Sequence, residues 1–159
     1  MGLIVTIVVA GLGIALWRSP LIQRGNIFDD KSSHPSLEEL KDGNCRQINE
    51  SNPGERIEIS KHKVRGHYTI FDFYSEGCGF CVSIAPQLVE LTKQRPDIAV
   101  RSIDVDRPGS AGIDWGSPVC PQYNIHTPPH FIIVDEHGKT IVEGRPAAEQ
   151  IMSLIHKAD

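Results

Sequence analysis

Cys78-Gly79-Phe80-Cys81 is the stretch that decides how this chain is read. The run before it, Tyr68-Thr69-Ile70-Phe71-Asp72-Phe73-Tyr74, has the aromatic and β-branched composition of a strand. The run after it, Val82 to Leu91, sets Ile84, Leu88 and Leu91 at helical spacing. Two thiols two residues apart at a strand-to-helix junction put the first sulfur at the helix N-terminus. There the helix dipole and the free backbone N–H groups favour thiolate over thiol. The second sulfur falls one turn in, within reach of a disulfide with the first. The pattern points to dithiol–disulfide exchange.

Outward from this centre, Pro53-Gly54 marks a turn and Arg56-Ile57-Glu58-Ile59-Ser60 alternates as a half-exposed strand. A turn at Arg65-Gly66 leads into the strand from Tyr68 to Tyr74. The helix that follows runs from Gly79 to Gln94, with Pro86 inside it removing a backbone donor. Ile98 to Val105 reads as a further strand. Arg107 to Pro121, with three glycines and three prolines, reads as a loop closing into a short helix over Val119 to Tyr123. His130 to Val134 is a buried-type strand, Glu136 to Lys139 a hairpin turn, and Thr140 to Glu143 its returning partner. Ala147 to Lys157 closes the chain as a helix with Ile151, Leu154 and Ile155 on one face. The order β, β, α, β, short α, β, β, α predicts an α/β fold with a mixed central sheet flanked by helices.

The 159 residues suffice for one domain and an appendage. Net charge is −4, and the 16 basic residues are scattered, so no nucleic-acid partner is expected. Gly2 to Trp17 carries no charge and would span about 24 Å as a helix. With Trp17 at the interface and Arg18 snorkelling, it reads as a transmembrane anchor over residues 1–18. The competing reading is a cleaved signal, but no basic residue precedes the apolar run and no small-x-small site follows it. Residues 19–36, with Pro20, Gly25 and Pro35, read as a linker, and 37–159 as the domain. Ser36 to Lys41 has the capping box of a short helix.

Several separated motifs, Phe71-Asp72-Phe73-Tyr74, Cys78-Gly79-Phe80-Cys81, Ala85-Pro86 and Tyr123 to Phe131, together resemble the thioredoxin superfamily over roughly Glu55 to Ala158. The anchor and linker resemble its membrane-attached bacterial branch. That resemblance implies an extracytoplasmic (periplasmic-side) domain, whereas Arg18, Arg24 and Lys31 after the apolar run favour the cytoplasm. The resemblance sets the expectation of an outside face.

Carried over by position, the resemblance makes Cys78 the attacking and Cys81 the resolving cysteine. Asp72, six residues before Cys78, matches the buried acid, and Pro129, nine before Gly138, matches the cis-proline. Gly79, Phe80, Thr127 and Pro128 fall where substrate docks. The chain departs from the family pattern at Gly77 (usually tryptophan), Phe80 (commonly proline), Ser102 (often lysine) and Pro128, which has no N–H to offer a substrate strand. His130 is read either as a charge beside the sulfurs or as a structural ring. Cys45 and Cys120 are read either as a second disulfide or as separate thiols.

The expected activity is that of a protein-disulfide oxidoreductase of the reductase type, with no cofactor beyond the redox-active Cys78–Cys81 disulfide. Its expected partners are protein or peptide disulfides and dithiols, an upstream electron donor or acceptor, and the membrane. A zinc site needs two further ligands in paired spacing, which Cys45, Cys120 and scattered histidines do not offer. The rival readings are a non-catalytic thioredoxin-fold binding module and a metal-carrying chaperone for oxidase or cytochrome assembly.

Overall fold

A computed structural model describes residues 44–158. The expected anchor, the linker and the helix at Ser36 to Lys41 lie outside these residues. Among the described residues, no helix is long and apolar enough to cross a membrane.

Five strands form one sheet in the order β1-β3-β2-β4-β5. They are β1 (Cys45–Gln47), β2 (Tyr68–Tyr74), β3 (Ile98–Asp104), β4 (His130–Val134) and β5 (Thr140–Glu143). The helices are α1 (Gly79–Gln94), α2 (Val119–Gln122) and α3 (Arg145–Ala158). β2 and β3 run parallel because α1 carries the chain back between them, and β1 adds in parallel at the edge. β4 and β5 run antiparallel, joined at Asp135 to Lys139 by a turn in which Gly138 adopts φ 84. Such a positive φ favours glycine. The expected mixed sheet flanked by helices is therefore present.

Both faces of β2 are covered, which is why its five central residues are all buried. Phe71 and Phe73 pack with Ile103, Val119, Cys120, Ile125 and Ile132 on the α2 side. The alternate residues, Ile70 and Asp72, turn to the other face. There α1 and α3 pack against each other and the sheet, burying Ile84, Leu88 and Leu91 of α1 and Ile151 of α3.

One expectation needs correction. Arg56 to Ser60 is not a strand; only a 3-10 turn, Ile59–Lys61, forms there. Its backbone is satisfied by side chains instead. Gln122 bonds both the N–H and the carbonyl of Ile57, and the Tyr123 hydroxyl bonds the Ile57 carbonyl at 2.7 Å and the Ile59 N–H at 3.3 Å. The first strand is instead Cys45–Gln47, three residues too short to show a period. Of the two readings left open for Cys45 and Cys120, the structure shows separate thiols. Cys45 shares the sheet face of Asp72, since its partner Val100 lies two residues from Ser102, whereas Cys120 is buried on the α2 side.

Candidate active site

The redox pair sits where β2 ends and α1 begins. Cys78 is the N-cap of α1, in extended conformation, and its sulfur accepts the Cys81 N–H at 3.2 Å. Few side chains but Ser, Thr, Asp and Asn do this well. Here a sulfur takes that place, where a thiolate would be stabilised by the same donor and by the helix dipole. Cys78 and Cys81 form a disulfide with Cα atoms 5.3 Å apart. The two are unequal, because Cys78 is half-buried and Cys81 is only 3% exposed. Cys78 is therefore the more accessible of the two.

Asp72 lies in β2 between Ser102 of β3 and Phe131 of β4, on the face covered by α1. It is 3% exposed, and its Oδ1 has no hydrogen-bond partner among the described residues. Burial in these surroundings pushes its carboxyl up to about 7. Ser102 beside it supplies no charge, so no cation offsets that burial from the position directly across on β3. The Cys45 thiol is also raised, mainly by burial, with the charge of Asp72 adding to it and that of Arg101 opposing.

The Pro128–Pro129 peptide is cis. The Pro128 carbonyl oxygen lies 3.5 Å from the Cys78 sulfur, which in the disulfide has no proton to donate. Pro128 is buried, while Thr127, Gly79 and Phe80 are exposed, Phe80 by 53%. His130 opens β4, directly after the cis-proline. It packs edge-on to Phe73 at 6.0 Å, and burial lowers its pKa towards the neutral form.

The segment after β3, which the sequence marks only as a loop, supports the redox turn. Buried Ser75 donates to Asp106 at 2.6 Å and accepts the Gly77 N–H at 3.0 Å. The other oxygen of Asp106 accepts the Asp114 N–H at 2.8 Å, and Asp114 holds Arg107 at 2.7 and 3.2 Å. That guanidinium keeps the Asp114 carboxyl down at about 2. The loop then packs on Gly77, where a Cβ would stand 2.9 Å from the Gly112 Cα. This explains why glycine occupies the position. The space for a side chain is filled by backbone. A signal existed in the sequence: three glycines between Arg107 and Pro121 are more than a plain connection needs.

Among the described residues, no group of three or more His, Cys, Asp or Glu side chains could hold a metal ion. The family model for thioredoxin matches residues 55–157, well over half of the chain. The chain belongs to the thioredoxin family. A thioredoxin domain with a closed Cys78–Cys81 pair is a thiol–disulfide oxidoreductase.

Among curated relatives, "Thioredoxin H-type" of Fagopyrum esculentum is 30% identical over 92 residues, which are 58% of this chain and 69% of that protein. "Thioredoxin-like 1-2, chloroplastic" of Arabidopsis thaliana is 24% identical over 110 residues, 69% of this chain. This chain spans only 37% of that relative's length. Among solved structures, the short form of thioredoxin F from spinach chloroplast is 18% identical, with a TM-score of 0.49, covering 73% of this chain and 94% of the spinach one.

Proposed function

We propose that the whole protein is a membrane-tethered protein-disulfide reductase whose domain acts on the extracytoplasmic side. The observation that carries the redox part is the asymmetry of the pair: an accessible Cys78 at a helix N-cap, backed by an enclosed Cys81. In the reduced protein, the Cys78 thiolate attacks one sulfur of a substrate disulfide. A mixed disulfide forms, and the other substrate sulfur leaves as a thiolate that takes up a proton. Cys81 then loses its proton to Asp72 and attacks the Cys78 sulfur. The second substrate thiolate is expelled, and the Cys78–Cys81 disulfide closes as two electrons pass to the substrate.

A carboxyl near 7 suits that proton transfer, being able to hold or release a proton at neutral pH. Gly79, Phe80, Thr127 and Pro128 form the docking surface, with Pro129 shaping it. Because Pro128 offers no N–H, the substrate strand gains one main-chain hydrogen bond fewer there. An upstream dithiol donor restores the reduced pair. Residues 1–18 supply the anchor, 19–36 the linker and 37–159 the domain.

A Cys81→Ser variant tests the order of attack. It should accumulate a mixed disulfide through Cys78 when mixed with a disulfide-bonded protein, detected by non-reducing electrophoresis and mass mapping. Adducts mapped to Cys45 or Cys120 instead would contradict the assignment. Carbonate-resistant sedimentation of the full chain with membranes tests the tether, and release by carbonate would exclude it.

A further inference from the structure

β1 and β3 carry an arrangement of charge that disulfide exchange does not use. Arg46 and Arg101 are partners in the parallel ladder, so both lie on the sheet face away from Asp72. Arg46 is exposed, but Arg101 is only 6% exposed. The Arg101 Nη1 donates to the carbonyls of Val100 at 2.8 Å and Asn44 at 3.3 Å. Its Nε is buried with no acceptor among the described residues. His62 stands close enough that Arg46, Arg101 and Lys61, after burial, all push its pKa down.

Among the described residues, no carboxylate is within ion-pair distance of Arg46, Arg101 or His62. Like charges opposite one another across strands repel, and a buried cation is ordinarily paired. The surplus positive charge is therefore a cost to the fold that an anion would remove. Arg46 and His62 line an open cleft of about 490 Å³, together with Gln47, Ser51 and one acid, Glu50.

We propose that this cleft binds a small divalent oxyanion of the phosphate or sulfate class. Arg46 and His62 are its direct ligands, the Ser51 hydroxyl is a neutral donor, and Arg101 is the positive charge beside them on the neighbouring strand. The guanidinium fork matches two oxygens of such an anion, and charge-assisted bonds of this kind are the strong ones. Glu50 opposes binding, but one carboxylate stands against two arginines and a histidine that gains its proton as the anion arrives. The site lies on the face away from Asp72 and at the β1 edge, so occupancy leaves the sulfurs untouched.

The test is calorimetric titration of the full-length oxidised chain, in non-ionic detergent and chloride buffer of constant ionic strength. Sulfate serves as the free-ion probe and phenyl phosphate as the phosphomonoester probe. Saturable one-to-one binding of either is expected. Arg46→Gln should weaken it at least tenfold, whereas Arg145→Gln, on α3, should leave it unchanged. Arg46 is exposed, so the variant keeps its fold, which an unchanged melting temperature without anion confirms. In the wild type, the His62 ring resonances should titrate at higher pH once sulfate is bound. Absence of saturable binding, or equal weakening by the two arginine variants, overturns the proposal.

Discussion

Replacing Asp72 by asparagine gives the most informative perturbation, because its effect has a calculable pH signature. Burial moves the native carboxyl from 3.8 to about 7. Below about pH 4, folded and unfolded chains both carry the proton, and burial of the neutral group brings no electrostatic cost. Between about pH 4 and 7 the unfolded chain ionises while the folded one stays protonated, so stability falls as pH rises, by about 1.4 kcal/mol per unit. Above pH 7 the loss is complete at about 4 kcal/mol.

An asparagine side chain cannot ionise, so this loss vanishes in the Asp72→Asn variant. An unsatisfied buried amide costs about 1–3 kcal/mol, but at every pH alike. The variant's stability relative to the parent should therefore climb by about 4 kcal/mol from pH 4 to 7.5 and then level off. Urea unfolding of the oxidised proteins across this range measures it, since neither Cys78 nor Cys81 titrates in the disulfide. A difference that stays flat with pH, or falls, would refute the burial argument for Asp72.

Gly77→Ala should destabilise the protein by about 1–3 kcal/mol, because the added methyl meets the backbone of Gly112 and Ile113 rather than a side chain that can swing aside. Faster amide exchange at Asp114 and Gly116 would show the loop displaced, and an unchanged stability would mean that the contact is slack. Pro128→Ala supplies the missing backbone donor and should lower KM for a protein disulfide by roughly two- to tenfold, as one net hydrogen bond allows. An unchanged or raised KM would mean that Pro128 does not limit docking.

The central fold was legible because its elements have strong periods. The aromatic and β-branched run at Tyr68–Tyr74, the helical spacing of Ile84, Leu88 and Leu91, and the apolar run at His130–Val134 each lead to the element observed. What misled was Arg56 to Ser60, whose alternation mimics a strand while Gln122 and Tyr123 satisfy its backbone from across the α2 side. Such side-chain bonds span more than sixty positions and leave no local pattern. β1 was invisible for the opposite reason, since three residues cannot display a period and its pairing is decided by the free edge of β3.

At the site, the Cys pair could be read from chemistry and spacing, and the buried acid Asp72 from the family resemblance. Ser75 and Asp106, which bind the supporting loop to the redox turn, could not. A serine after an aromatic strand and an aspartate before Arg107 look like ordinary polar residues until the fold brings them within 2.6 Å. Gly77 was legible as a departure but not as a consequence, because its cause is the backbone of Gly112, far along the chain.

The measurement that bears most directly on the redox assignment is dithiol-dependent insulin reduction by the full-length chain beside its Cys78→Ser variant. The Cys78 sulfur, half-exposed at the α1 N-cap, is assigned the first attack, so the variant should lose the accelerated reduction seen with the parent and match the rate of dithiol alone. Equal acceleration by the two proteins would contradict exchange through this pair.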